Sequence, residues 1–151
     1  MTEQAELEGL ESYKAKINPV TKGTVTWKED LIFEARTQVG YDFEFDGRVQ
    51  WGCAPTESLL LSLGGCMGID VAMFLKKMRV ELSSLKVELT GERNPTPPQY
   101  YKKIDITVRA SGEGLNENKM KRAVKLSHEK YCSVYHSLRK DLEVNVHYVL
   151  E

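Results

Sequence analysis

The chain has 151 residues, 41% of them hydrophobic and 28% charged, the mix of a globular protein rather than a disordered or fibrous one. At this length roughly 68–70% of the surface exposed by the unfolded chain becomes buried, enough for one core without covalent staples. The 21 basic and 22 acidic side chains leave a net charge of −1, which argues against a nucleic-acid partner, and the three cysteines fit reduced thiols in the cytoplasm better than a secreted disulfide framework.

Residues 1–19 carry glutamates where a targeting segment would carry a basic start and an apolar run, and they read as a loose tail before a single domain over 20–151. From Val20 to Asp46 the pattern has a period of two. Val25 and Trp27 alternate with threonines, and Tyr41, Phe43 and Phe45 alternate with Asp42, Glu44 and Asp46. Breaks at Lys28-Glu29-Asp30, Gln38-Val39-Gly40 and Asp46-Gly47 predict a three-stranded antiparallel meander with one buried face.

Pro55 is suited to the first position of a helix, where its missing N–H costs nothing. The helix that follows is apolar on nearly all sides, through Leu59, Leu60, Leu61, Leu63, Met67, Ile69, Val71, Met73, Phe74 and Leu75. A membrane span is the rival reading. Asp70 and Ser62 count against it, because an acid near the bilayer centre costs about 2.5–3.5 kcal/mol on insertion scales. Such a helix needs cover all round, more than one curved sheet and one amphipathic helix supply, so a homodimer is expected.

Leu85–Arg93 and Tyr100–Ala110 predict a hairpin in which Leu85, Val87 and Leu89 oppose Ile104, Ile106 and Val108, joined by a proline-rich loop over 94–99. Asn116 is the expected N-cap of a helix whose apolar face is Met120, Ala123, Val124 and Ser127. A closing strand runs from Asp141, with Val144, Val146 and Tyr148 on one face. The class is α+β with mostly antiparallel sheet.

Gly64-Gly65-Cys66-Met67-Gly68 lacks the lysine and spacing of a phosphate loop. Each glycine inside a helix costs about 0.8–1.0 kcal/mol relative to alanine, so the pair implies close approach of another backbone or of a ligand beside Cys66. Tight helix packing is the plainer version of the same argument. Cys66 alone reads as a buried, inert thiol. Cys132 lies where one helix is due to end; a break at Tyr131 would set it at a helix N-terminus beside Lys130, where N–H groups favour a thiolate. On an unbroken helix His128, Cys132 and His136 would share one face, a spacing that suits a metal with Cys66 as fourth ligand, or simply a solvated face. Cys53 sits at no recognisable ligand spacing.

Ala54-Pro55-Thr56-Glu57-Ser58-Leu59-Leu60-Leu61-Ser62-Leu63-Gly64-Gly65-Cys66, followed by Glu129-Lys130-Tyr131-Cys132-Ser133-Val134, closely resembles the OsmC/Ohr family of osmotically induced and organic-hydroperoxide-resistance proteins. The likeness runs from about Val20 to Val149. It implies antiparallel sheets wrapped around long central helices in an intertwined homodimer, with sites at the interface. It further implies a cytoplasmic thiol peroxidase in which Cys66 attacks an organic hydroperoxide and Cys132 resolves the product as a disulfide, restored by a small dithiol. No cofactor, metal, nucleic acid or membrane is implied. The acid that the best-studied members place before the attacking cysteine falls here on Thr56, with Glu57 next to it. Neither Arg36 nor Arg48 lies in a motif matching the family's arginine. The Glu-x-Leu-Leu and Leu-Gly-Gly-Cys pattern resembles an OsmC-like subgroup instead. The alternative on the same fold is a binding module for a small apolar or thiol ligand, with the cysteines as lining.

Overall fold

Alternation of polar and apolar residues produces three short strands at the start of the described chain, β1 (Gly23–Glu29), β2 (Ile32–Thr37) and β3 (Asp42–Asp46), hydrogen-bonded in that order and antiparallel. The computed structural model describes residues 19–151, so the tail expected over 1–19 lies, but for Pro19, outside the described residues. Trp27 pairs with Phe33 and Ala35 with Phe43, while Asp30 (φ +44°) and Gly40 (φ +89°) take the left-handed conformations of the two turns.

The buried face expected of this meander is not covered by the described residues. Ala35 and Asp46 are buried, but Trp27 is 61% exposed, and Val25, Phe33, Tyr41 and Phe43 are exposed with it. The three strands pack mainly on one another, and the other described residues leave their apolar side chains uncovered. After β3 the Asp46 carboxylate accepts from the N–H groups of Arg48, Gln50 and Trp51 at 2.8, 3.0 and 2.9 Å, fixing the loop that leads to the central helix. Those donors, Trp51 first, hold its carboxyl below the usual carboxylate range.

The central helix, α1 (Pro55–Lys77), runs 23 residues and starts at Pro55, as expected. Its inner face, Leu63, Met67, Val71, Phe74 and Leu75, is fully buried. The opposite side, with Leu61, Gly65 and Ile69, is exposed. By length and apolarity α1 qualifies as a membrane span, but its inner face packs against a β-sheet and a second helix, and Asp70 is buried with it.

The hairpin is longer than the apolar alternation predicts: β4 (Glu81–Arg93) and β5 (Tyr101–Glu113) extend it at the end away from the proline loop. The extension runs through an irregularity between Leu82 and Ser84, opposite Gly112. In the regular part the two apolar sets share a face as expected, Val87 against Val108 and Leu89 against Ile106, but the register is offset by two residues from a three-on-three match, so Leu85 faces Ala110 and Ile104 faces Gly91. β6 (Glu143–Leu150) then joins β5 in parallel, Val146 beside Ile106, so the second sheet is mixed. The parallel pairing has a simple cause. The chain between the two strands holds α2 (Glu117–Leu126), a π-helical turn (Ser127–Tyr131) and α3 (Ser133–Ser137), a connection long enough to return it to the end from which β5 started.

Asn116 caps α2 as predicted, its Oδ1 accepting from the Lys119 N–H at 2.9 Å. Met120, Ala123 and Val124 are buried against α1. Ser127, placed by periodicity on the same helical face, is fully buried but belongs to the π turn after α2 has ended.

Candidate active site

Cys66 and Asp70 are one helical turn apart on α1, and the π turn together with α3 brings Cys132 to them. One Sγ from each cysteine and a carboxylate oxygen of Asp70 all lie within 4.8 Å of one another. Both cysteines are free thiols; Cys66 is half-buried, whereas Cys132 is fully buried and Asp70 nearly so. Ser127 Oγ donates to Asp70 Oδ2 at 2.9 Å, and the Ser127 carbonyl accepts from the Cys132 N–H at 2.8 Å. The carboxylate and the buried sulfur are thus held by the same residue of the π turn.

The helix breaks after Tyr131, and Cys132 takes an extended conformation (φ −68°, ψ 98°) as the N-cap of α3. That position matches the expectation; its electrostatic consequence does not. Burial pushes the Cys132 thiol up to about 12, and Cys66 and Asp70 act in the same direction. The Tyr135 N–H pulls the other way without compensating. α3 has only five residues, so few aligned peptide dipoles oppose the desolvation. Lys130 lies over the Tyr131 ring, 5.1 Å from its centroid.

The break also dissolves the alignment of His128, Cys132 and His136. Both imidazoles instead stack edgewise on Tyr135, at 4.7 and 5.0 Å between ring centroids. Among the described residues the cluster with metal-ligand chemistry is Cys66, Asp70 and Cys132. The sequence drew attention to Asp70 only as an argument against a membrane span, and to Ser127 only as a position on a helix face. The signal available for Asp70 was an acid one turn from a cysteine inside an apolar helix.

The glycine pair divides. A Cβ on Gly64 would come 2.6 Å from Leu89 Cδ1, so the close neighbour is a strand side chain, neither a second backbone nor a ligand. A Cβ on Gly65 would meet nothing within 4 Å. Glu57 turns back to the start of α1, where its Oε1 accepts from the Ala54 N–H at 2.9 Å. The neighbouring Thr56 carbonyl accepts from Tyr101 Oη at 2.8 Å. Arg36 and Arg48 make two-pronged ion pairs with Asp42 and Asp30 on the first sheet. Cys53 lies outside the cluster, its Sγ 4.0 Å from the Glu44 carbonyl.

This geometry sits in a chain with recognisable relatives. Residues 46–147, which include both clustered cysteines, match the family described as OsmC-like protein. Protein YhfA of Escherichia coli K12 is 34% identical over 125 residues, covering 82% of this chain and 93% of YhfA. The crystal structure of a hypothetical protein from Aquifex aeolicus VF5 superposes with a TM-score of 0.81 at 31% identity, over 89% of this chain and 98% of that one. An organic hydroperoxide resistance protein OsmC from Legionella pneumophila shares the fold at a TM-score of 0.62 and 16% identity, over 88% of this chain and 98% of that one. A matched segment that spans α1, the hairpin, α2 and most of β6 makes this chain a member of the OsmC-like family.

Proposed function

We propose that the protein is a thiol-dependent peroxidase that reduces organic hydroperoxides through Cys66 and Cys132, working as a homodimer in the cytoplasm. The observation that carries the reading is the placement of the two free sulfurs within 4.8 Å of each other, one reachable and one buried. In the reaction the Cys66 thiolate attacks one oxygen of ROOH, the O–O bond breaks, and the alcohol leaves with a proton, giving a sulfenic acid at Cys66. The Cys132 sulfur then attacks that sulfenic sulfur, an S–S bond forms and water leaves. An external dithiol reduces the bridge and is itself oxidised to a disulfide.

Exposure supports the division of roles between them. A substrate reaches half-buried Cys66 first, and burial that keeps Cys132 a neutral thiol suits a sulfur that acts only after Cys66 has been oxidised. Apolar surroundings favour organic peroxides, because an alkyl tail gains about 0.8 kcal/mol per buried methylene. Support from kinship is indirect: the Legionella pneumophila protein named for organic hydroperoxide resistance shares the fold. The homodimer is supported by two uncovered apolar surfaces, the first sheet and the Leu61, Gly65 and Ile69 side of α1.

The test is thiol titration of wild type, Cys66→Ser and Cys132→Ser after one equivalent of cumene hydroperoxide, with the alcohol quantified. Loss of two thiols per chain with stoichiometric alcohol, abolished in Cys66→Ser and arrested at a sulfenic acid in Cys132→Ser, is the expected result. Thiols that survive the peroxide would overturn it. A binding module is the second reading, favoured by an apolar cavity of about 100 Å³ between Leu59, Leu60, Tyr101 and Leu142. Under that reading ligand retention is indifferent to Cys66→Ser.

A further inference from the structure

The Cys66, Asp70 and Cys132 cluster has a donor set that peroxide chemistry does not use in full. Two sulfurs and a carboxylate converge closely enough that a single cation between them would meet all three. A tetrahedral zinc-type site, with metal–sulfur bonds of about 2.3 Å and metal–oxygen bonds of about 2.0–2.2 Å, needs its ligand atoms about 3.5–3.8 Å apart. The three atoms here all lie within 4.8 Å of one another, so closing on an ion takes about 1.3 Å at most, within reach of a χ1 adjustment at half-buried Cys66.

The carboxylate is also oriented. Ser127, itself fully buried, donates to Asp70 Oδ2 at 2.9 Å, the kind of outer hydrogen bond that fixes a metal-ligating group. A dication reverses the electrostatics of the pocket, because each group that repels a neighbouring thiolate becomes a ligand beside it.

We propose that the reduced protein binds one thiophilic divalent cation of the zinc class through Cys66 Sγ, Cys132 Sγ and a carboxylate oxygen of Asp70, with the fourth position left to solvent. The ion and a Cys66–Cys132 disulfide exclude each other, since the disulfide has no thiolate to offer. This ligand set differs from the one that helical spacing suggests, because His128 and His136 are turned onto Tyr135. The inference needs only the three groups in reach of one ion, and holds whether or not Cys66 reduces hydroperoxides.

The experiment titrates the reduced full-length protein with Co²⁺, then displaces it with Zn²⁺ against a chromophoric chelator, without any peroxide present. One equivalent of Co²⁺ per chain should raise a sulfur-to-cobalt charge-transfer band and tetrahedral visible bands, and Zn²⁺ should abolish both. Cys66→Ser, at a half-buried position, should weaken Zn²⁺ binding at least about 100-fold, Ser127→Ala about 10-fold, and Cys53→Ser not at all. Asp70→Asn should weaken binding while keeping the sulfur band; circular dichroism checks that each variant is folded. Absence of the band in reduced wild type would overturn the proposal. So would a band that survives Cys66→Ser unchanged or that disappears in Cys53→Ser.

Discussion

Gly112 is a residue whose identity is dictated by backbone rather than by a side-chain neighbour. It faces the irregularity between Leu82 and Ser84, and a Cβ there would fall on the Glu81 carbonyl oxygen and within 2.9 Å of the Leu82 Cα. Neither atom can rotate away. Overpacking of this kind costs typically about 1–3 kcal/mol, so Gly112→Ala should lower stability by about 2 kcal/mol or more in urea unfolding. Gly64→Ala should cost far less, because its close neighbour is the tip of the Leu89 side chain and the helix gains propensity. Cys132 makes a different prediction at the same scale. Its thiol loses a proton near 9 in the unfolded chain but holds it to about 12 in the fold, chiefly because it is buried. Between those values the unfolded state binds fewer protons, so stability falls as pH rises through that window and the contribution is fully present below it. Unfolding midpoints compared at about pH 8 and about pH 10.5 should drop more for wild type than for Cys132→Ala. An equal drop in both would remove Cys132 as the source.

The elements differ in how far their own sequence accounts for them. α1 is announced by Pro55, and its first turn is completed by Glu57, whose carboxylate both accepts the Ala54 N–H and sits at the positive end of the helix dipole. Glu57→Ala should therefore cost about 1 kcal/mol in thermal or urea unfolding and leave the rate of Cys66 oxidation by cumene hydroperoxide unchanged. A large loss of rate would instead make Glu57 the acid that activates Cys66. The apolar face of the hairpin and the Asn116 cap were equally legible, since each follows from alternation or from a side chain acting on its own backbone; the register was not, because a shift of two residues leaves the alternation unchanged. The π turn was not. Its extra residue per turn places Ser127 against Asp70 across the core, a contact that no local pattern encodes. For the same reason the site was half legible: Cys66 and Cys132 stand out as cysteines in distinctive surroundings, whereas Asp70 and Ser127 gain meaning only once α1 and the π turn are packed together. Strand direction was hidden too, because alternation in β6 reads the same whether its neighbour runs parallel or antiparallel.

At the scale of the whole molecule the first sheet poses the question that one protomer does not answer. Its aromatic side chains and the outer side of α1 are apolar and left uncovered by the described residues, as the proposed dimer requires of its interface. Gly65 lies on the same outer side of α1, where the protomer leaves open space for a Cβ. A second copy crossing there would explain why a glycine is kept in mid-helix at a cost of about 0.8–1.0 kcal/mol. Ile69 is one helical turn further on and 54% exposed, so a charge at this position leaves the protomer core untouched while placing an ion in the proposed interface. Ile69→Arg should therefore sediment as a monomer of 17.2 kDa where wild type sediments at twice that mass. In the Trp51→Phe background the emission of Trp27, which is largely uncovered in the protomer, should shift to the red in step with dissociation. A wild type that sediments as a monomer at micromolar concentration would refute the dimer. A dimeric Ile69→Arg with unshifted Trp27 emission would move the interface off this side of α1, and the conformational cost of Gly65 would then need a ligand rather than a second helix to offset it.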